Sequence, residues 1–166
     1  MTLSDLNRDI ETPRLRLRAP TEADAMAVAA LCADADIPRL APLGDIDEAR
    51  SFIENESANT FLVERPGHGP IGCVAMVMGE RLPELGYWIA RAHRGLGYAT
   101  EATLAALEWA ERQWGKRAVT AGHFATDPAS GAVLHKAGFL YTGDVELRPS
   151  FARAKPAPTR MMVWLA

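Results

Sequence analysis

The apolar residues in the first part of the chain follow the period of a β-strand. Leu15 and Leu17 alternate with three arginines, which predicts a half-buried first strand. Apolar and β-branched runs at 60–64 and 71–78, joined by a Pro-Gly-His-Gly turn, predict an antiparallel hairpin. A further apolar run at 85–90 predicts a fourth strand.

Helical patterns lie on both sides of these strands. Thr21, followed three residues later by Asp24, resembles a helix N-cap arrangement, and an alanine-rich run continues that helix to Leu31. A second helix is predicted at 46–56 and a long third helix at 97–114. The apolar stripe predicted on the third helix comprises Leu104, Leu107 and Trp114, and Gly115 is its stop signal.

The last part of the chain adds one helix and three strands. A fifth strand is predicted at 118–124, and the Asp-Pro pair at 127–128 then supplies an N-cap and a first helical residue. Gly138 ends this helix in the left-handed cap position. Two strands, near 140–147 and 160–165, complete the pattern.

These elements predict one α/β domain over residues 1–166, with 1–11 as an N-terminal extension. Because a single helix joins the fourth strand to the fifth, these two should form a central parallel pair in a mixed, mostly antiparallel sheet flanked by helices. Segment 36–45, in which Pro38, Pro42 and Gly44 disfavour regular structure, is either a functional loop or a surface linker. Residues 151–158 are expected to form a hairpin loop that folds over a substrate.

Composition narrows the classes of function. A net charge of −3 creates no field that attracts nucleic acid or an anionic membrane, so a polyanionic ligand must be held by local donors. No stretch reaches the ~20 apolar residues of a membrane span, and the N-terminus lacks a signal-peptide core. Cys32 and Cys73, far apart in apolar runs, predict buried thiols in a reducing compartment, and we expect a cytoplasmic protein. The four histidines lack metal-ligand spacing, so no metal is expected.

The most informative chemistry lies in residues 87–102, where a strand runs through a Gly-Leu-Gly turn at 95–97 into a helix. Backbone amides at the helix start, with the positive end of its dipole, form an anion site suited to a diphosphate. Arg94 and Arg91 add positive charge. Thr100 stands where a dinucleotide fingerprint needs a third glycine, and the triphosphate-loop Gly-Lys-Ser/Thr is absent. Taken alone, the two glycines fit a purely structural turn equally well.

This segment resembles the GCN5-related N-acetyltransferases, whose diphosphate motif reads Gln/Arg-x-x-Gly-x-Gly/Ala and begins a helix. Gly95, Gly97 and Ala99 fit that motif. The flanking Glu-Leu-Gly-Tyr-Trp-Ile at 84–89 and Gly-Tyr-Ala-Thr-Glu-Ala at 97–102 resemble the branch of RimJ/RimL-type ribosomal-protein alanine acetyltransferases.

Two more segments extend the resemblance over residues 12–139. The stretch 127–139 is similar to the family's Asn-x-x-Ser motif with its closing Gly-Phe, and 12–18 resembles the opening strand of the branch. Two departures stand out. Ala92 occupies the position where the motif usually has Gln or Arg, and Asp127 replaces the usual Asn, which brings an anion near the coenzyme arm.

The resemblance implies an acyl-CoA N-acyltransferase fold and an enzyme that moves an acetyl group from acetyl-CoA, its cosubstrate, to a primary amine without a metal. The acceptor is expected to be a protein N-terminus or a small molecule, and the protein a monomer or homodimer. The residues expected at the coenzyme are Ile89, Ala90, Arg91, Arg94, Gly95, Leu96, Gly97, Tyr98, Ala99, Thr100, Asp127 and Ser130.

Two side chains are candidates for proton transfer. A free α-amino group has a pKa of ~8 and a lysine ~10.4, so a base is needed to generate a neutral amine. The resemblance places Glu84 near the family's catalytic glutamate, although a solvated strand-end carboxylate is the plain alternative. Because Leu134 stands where many members have a catalytic tyrosine, Ser130 is either the proton donor to the thiolate or an ordinary first-turn residue. A backbone amide near Ile89 or Ala90 is expected to stabilise the oxyanion.

Two other functions fit the same residues. A non-catalytic module that senses acyl-CoA would account for the departures at Ala92 and Asp127. An enzyme that inactivates an aminoglycoside or polyamine would need an acidic acceptor cleft, with candidate residues Asp34, Asp36, Asp45 and Asp47. The aromatic residues Trp88, Tyr98 and Trp109 either stack on a ligand or, as is commoner, fill the core.

Overall fold

The computed structural model describes residues 6–33, 46–55, 59–149 and 155–166. The predicted loop at 36–45 lies outside these residues, and so does the 151–154 part of the predicted loop at 151–158.

Within the described residues, eight strands form one sheet. They are β1 (Ile10–Glu11), β2 (Arg16–Arg18), β3 (Thr60–Arg65), β4 (Gly69–Met78), β5 (Pro83–Ile89), β6 (Ala118–Phe124), β7 (Leu140–Arg148) and β8 (Ala157–Leu165). Their order is β1-β2-β3-β4-β5-β6-β8-β7, and β5 and β6 run parallel in an otherwise antiparallel sheet. The predicted fold class is confirmed, and the two strands predicted to be parallel are β5 and β6.

Four α-helices accompany this sheet in the described part of the chain: α1 (Ala25–Cys32), α2 (Ile46–Asn55), α3 (Tyr98–Arg112) and α4 (Pro128–Lys136). The predicted start and stop signals operate as expected. The Thr21 amide donates to Asp24 Oδ2 at 2.8 Å ahead of α1, and Gly138 follows α4 with φ +98°. None of these helices combines the length and the apolar character that crossing a bilayer demands.

The main core lies between α3, α4 and the sheet. Helix α3 turns a stripe of small residues inward, and Ala102, Ala106 and Ala110 have no exposed surface, so the helix backbone approaches the strands closely. Leu107 is buried as predicted, whereas Leu104 is 46% exposed, so its assignment to the buried stripe is wrong. Alanines, which carry a weak hydrophobic signal, define this face instead.

Residues 6–11, predicted as an extension, contact the domain. Leu6 and Ile10 pack against the main core, and Trp109 Nε1 donates to the Asn7 carbonyl at 2.7 Å. Strand β1 pairs with β2, a ladder that the sequence pattern does not predict because it is only two residues long. The segment leading into β2 is therefore held both by packing on the main core and by pairing of β1 with β2.

Helices α1 and α2 form a smaller core with β3, in which Val28, Ala49 and Ile53 pack on Leu62. Cys32 at the end of α1 is half-buried and Cys73 on β4 is buried; neither forms a disulfide among the described residues. Burial raises the pKa of the Cys32 thiol to about 12, so this thiol stays protonated and weakly nucleophilic at neutral pH.

Candidate active site

Strands β5 and β6 separate soon after they meet. Within the described residues, β5 and β6 pair at two positions, Glu84 with Thr120 and Leu85 with Ala121. Beyond them β5 continues in register with β4, and β6 with β8. A gap therefore opens between two neighbouring strands at the centre of the sheet.

The hydrogen-bond alternation of β5 shows which amides face this gap. The Ala90 amide donates to the Ile71 carbonyl on β4 at 2.8 Å. Because bonding alternates along an antiparallel ladder, the Ile89 amide points the other way, toward β6. Of the two amides considered for the oxyanion, Ile89 remains available, and the Ala90 amide is already engaged.

The turn after β5 forms an open cradle at the start of α3. Gly95 and Gly97 have φ of +74° and +83°, which only glycine adopts at low cost. Gly97 is the N-cap, and its carbonyl accepts the first helical bond from the Glu101 amide at 3.1 Å. The amides of residues 98–100 precede that bond, so they have no helical partner and lie at the positive end of the dipole. A Cβ at Gly95 would meet no atom within 4 Å, so space remains for a diphosphate.

This cradle lines a cavity of about 480 Å³ that extends along β5, α3 and α4. The predicted coenzyme residues in its lining are Ile89, Arg94, Gly95, Gly97, Tyr98, Ala99, Thr100, Asp127 and Ser130. Ala90, Arg91 and Leu96 stand outside that lining, and Leu96 is 54% exposed. The structure thus brings together the glycine turn and the start of α4, which are about 30 residues apart in sequence.

Sequence reasoning missed one wall of the cavity. Ala129, Ala132, Val133 and Lys136 line it from α4. Their spacing of three, one and three residues is that of one helix face, so the predicted helix start at 127–128 already carried the signal. Lys136 adds a cation that suits a phosphorylated ligand.

The start of α3 at Tyr98 also changes the alignment of the diphosphate motif. If Gly97, the helix N-cap, is the motif glycine, then Arg94-Gly95-Leu96-Gly97-Tyr98-Ala99 reads as Arg-x-x-Gly-x-Ala without a mismatch. The departure assigned to Ala92 then disappears. Arg94 Nε donates to the Ile89 carbonyl at 2.7 Å, which ties the arginine to the end of β5.

Asp127 and Ser130 form a compact cap at the start of α4. The Ser130 amide donates to Asp127 Oδ1 at 3.2 Å, and the Ser130 hydroxyl donates to Oδ2 at 2.6 Å. The Tyr87 hydroxyl donates to the Ser130 carbonyl at 3.4 Å. The Asp127 carboxylate therefore serves the helix start, and the Ser130 proton points at it.

His93 lies buried in the cavity lining. Burial lowers its pKa, and neighbouring His68 and Arg65 lower it further, so the ring is neutral at pH 7. Arg65 Nη1 lies 3.3 Å from His93 Nδ1. Because a guanidinium only donates, Nδ1 accepts and Nε2 carries the proton. His93 is thus a neutral hydrogen-bond donor beside the cradle.

A second cleft of about 400 Å³ adjoins the cavity along β5. Residues 87–89 line the first cavity and 84–86 line the second. Glu84 lies in the second cleft, 32% exposed, with Oε1 2.5 Å from Arg148 Nη1. Glu84 and Ser130 therefore lie in neighbouring cavities, and Glu84 is an ion-paired cleft residue rather than a freely solvated carboxylate.

Thr12 and Arg14, in the segment before β2, form a brace that contacts the glycine turn and the first turn of α3. Glu101 accepts from Thr12 Oγ1 at 2.6 Å, from the Arg14 amide at 2.9 Å and from Arg14 Nε at 2.7 Å. Arg14 Nη1 donates to the Leu96 carbonyl at 2.8 Å, and its guanidinium lies over the Tyr98 ring at 4.6 Å. One arginine thus contacts both ends of the turn.

We expect Arg14→Gln to raise the KM for acetyl-CoA about 3- to 10-fold with little change in kcat, because charge-assisted bonds that position the turn are lost. Arg16→Gln is the matched control, since Arg16 forms an ion pair only with exposed Asp9 among the described contacts.

Burial raises the pKa of Glu101, but bonds from Thr12 and Arg14 hold it below its ordinary value overall. The brace should therefore persist from pH 6 to 9 and weaken only in acid, as Glu101 becomes protonated. Steady-state kinetics across that range would contradict this role if both variants behaved alike.

The separated parallel strands, the amide cradle and the two cavities are the features expected of an N-acyltransferase that uses a coenzyme A thioester. In the described residues no group of three or more His, Cys, Asp or Glu is arranged to hold a metal. The family profile described as the acetyltransferase (GNAT) domain matches residues 14–140. The chain belongs to the GNAT family and is an acetyl-CoA-dependent N-acetyltransferase.

Solved structures share this fold over nearly the whole chain. An acetyltransferase of the GNAT family from Bacillus anthracis is 20% identical with a TM-score of 0.80, covering 95% of this chain and 98% of its own. The RimL ribosomal L7/L12 α-N-protein acetyltransferase in complex with coenzyme A is 17% identical with a TM-score of 0.82, covering 95% and 97%. The Vibrio cholerae spermidine N-acetyltransferase bound to CoA and spermine is 21% identical with a TM-score of 0.78, covering 93% and 96%. No curated protein sequence matches the chain.

Proposed function

We propose that this enzyme acetylates the α-amino group of a protein N-terminus or a small-molecule amine, with Glu84 as the base and Ser130 as the proton donor to the leaving sulfur. The observation that carries this proposal is the arrangement of two adjoining cavities on β5. Ile89 lies five positions after Glu84 on β5, about 17 Å at the usual rise per residue. An extended thioester arm running from the cradle along this strand would approach the Glu84 cleft.

The residues of this chain then divide the chemistry. Glu84 accepts a proton from the acceptor ammonium, directly or through one water, and the neutral nitrogen attacks the thioester carbonyl carbon. The Ile89 amide donates to the carbonyl oxygen as negative charge develops there. The C–N bond forms, the C–S bond breaks, and Ser130 gives its hydroxyl proton to sulfur. That last step requires the Ser130 hydroxyl to turn away from Asp127. The second proton lost by the nitrogen returns to the Ser130 oxygen through water.

The alternatives have less support. The revised motif alignment removes one of the two departures that favoured a non-catalytic sensor, and Asp127, the other, is engaged in capping α4. Of the aspartates considered for a polyamine site, Asp34, Asp36 and Asp45 lie outside the described residues. The Asp47 side chain is 86% exposed and pairs with Arg50 at 3.7 Å. Membership of the RimJ/RimL branch, a monomeric or dimeric state and a cytoplasmic location remain parts of this proposal.

The test is acetyl-CoA-dependent thiol release with a panel of amines: peptides with different N-terminal residues, free amino acids, simple alkylamines, polyamines and an aminoglycoside. We expect release above background with at least one α-amino acceptor, and mass spectrometry should show one added acetyl group. If calorimetry detects coenzyme binding but no amine stimulates thiol release, the sensor alternative is favoured. If polyamines alone are acetylated, the acceptor part of the proposal is wrong.

A further inference from the structure

Arg148 forms an ion pair across the 400 Å³ cleft with a residue of a distant strand. It lies at the end of β7, and its Nη1 reaches Glu84 on β5, although β8 and β6 stand between these strands in the sheet. The two residues are 64 positions apart in sequence. Both line the 400 Å³ cleft, so the pair lies where an acceptor must enter.

A second carboxylate holds Arg148 independently of Glu84. Arg148 Nε and Nη2 donate to Glu146 Oε2 at 2.9 and 2.7 Å, which leaves Nη1 for Glu84. Burial lowers the pKa of Arg148, but the bonds from Glu84 and Glu146 raise it more, so the guanidinium stays charged. Glu146 therefore holds the Arg148 side chain in place through Nε and Nη2, while Nη1 can exchange its partner.

The rest of the cleft is largely apolar. Val77, Met78, Leu85 and Phe124 are in its lining, and the charged residues among its described lining are Glu84 and Arg148. These two charges cancel, so the lining offers no net attraction to a polycation. An amine without an anionic group would pair with Glu84 but leave Arg148 Nη1 without its carboxylate partner.

We propose that the acceptor is a zwitterion, an amine with a nearby carboxylate and an apolar side chain, such as an apolar α-amino acid. This inference rests on the proposed acetyl transfer and specifies its substrate. The acceptor ammonium takes the place of Arg148 at Glu84, and the acceptor carboxylate takes the place of Glu84 at Arg148 Nη1. One ion pair is replaced by two, so neither of these partly exposed charges loses its partner.

The same exchange accounts for release of the product. Glu84 takes the ammonium proton during acetyl transfer and passes it to solvent, and the N-acetylated product retains its carboxylate but has no positive charge. Glu84 is then again an unpaired carboxylate beside Arg148, and it competes with the product for Nη1. The product should therefore bind more weakly than the substrate.

Two sets of matched amines test this proposal: leucine, leucinamide and 3-methylbutylamine, and methionine, methioninamide and 3-(methylthio)propylamine. Within each set the apolar group is constant and only the carboxylate changes. Rates are compared per neutral amine, because the three amines of a set differ in pKa. We expect kcat/KM for the amino acid to exceed that for its amide and its decarboxylated amine by about 10- to 100-fold. In Arg148→Gln this preference should fall to within about 3-fold, mainly through KM for the amino acid.

Arg112→Gln is the control, since it removes an equal charge from an exposed pair with Glu108 on α3, and the preference should be retained. The proposal is overturned if the uncharged amides or decarboxylated amines react as well as the amino acids, or if Arg148→Gln keeps the preference. It is also overturned if all six compounds are inert while another amine of the broader panel is acetylated; acetyl transfer itself then stands. If no amine at all releases thiol, the proposed function fails.

Discussion

Glu84→Gln should lower kcat for acetyl transfer by about 10²- to 10³-fold while the Kd for coenzyme A changes little, because a positioned base typically contributes this much to a proton-transfer step. Glu84 lines the second cleft rather than the cradle, which is why coenzyme binding should be spared. The amide cannot accept the ammonium proton. The rate of the variant should therefore keep rising with pH toward the acceptor's own pKa, about 8 for an α-amino group.

Two comparisons make this result interpretable. Glu108→Gln removes the same charge from an exposed position on α3 and should leave kcat unchanged. Glu84→Asp keeps the carboxylate but shortens its reach, so it should retain more activity than the amide. Thiol-release assays between pH 6 and 10 measure the effect on kcat, and calorimetry measures the effect on coenzyme binding. A variant with normal kcat and an unchanged pH profile would show that the base is another group.

Gly97→Ala should weaken coenzyme A binding by at least about tenfold, which corresponds to ~1.4 kcal/mol. A side chain at φ +83° costs about 1–2 kcal/mol, and the new Cβ would lie 3.2 Å from Arg14 Nη2. A small shift of the Arg14 side chain can relieve the contact. The backbone strain can be relieved only by a rotation that turns the amides of residues 98–100 away from their common point. The loss should therefore appear in Kd by calorimetry and in KM for acetyl-CoA.

Gly115→Ala is the matched control for this substitution. Gly115 follows the other end of α3 with φ +69°, and a Cβ there would meet no atom within 4 Å. Both variants should lose a similar amount of stability in thermal unfolding, and only Gly97→Ala should lose coenzyme affinity. Equal affinities in the two variants would mean that the cradle does not hold the diphosphate.

Local sequence signals predicted most elements because their causes are local. An N-cap, a proline at the first helical position and a following glycine act within one helical turn, so α4 begins and ends where the Asp-Pro pair and Gly138 place it. Strand β6 matches its predicted bounds for a similar reason, a short alternating run between turn signals. Leu104 was misplaced because an alanine-rich face of α3 gives a weak periodic signal, and packing against the sheet decides its orientation.

The candidate site was predictable in part for the same reason. The glycine turn and the residues after it are consecutive, so their sequence identifies the cradle and most of its lining. The α4 wall of the cavity, the Thr12 and Arg14 brace, and the Arg148 partner of Glu84 come from segments 30 to 90 residues away. Contacts between such distant segments have no fixed sequence spacing, so no local pattern predicts them.

By itself, the amino-acid order determined the helices, every strand except β1, the glycine turn and the family to which they belong, since each depends on short-range backbone preferences or a contiguous motif. Only the tertiary structure decided that Ile89 rather than Ala90 offers its amide to the gap, that Ser130 directs its proton to Asp127, and that Glu84 is shared with Arg148. These outcomes depend on ladder register and on charges that meet across the sheet. Both are set by how the whole chain packs.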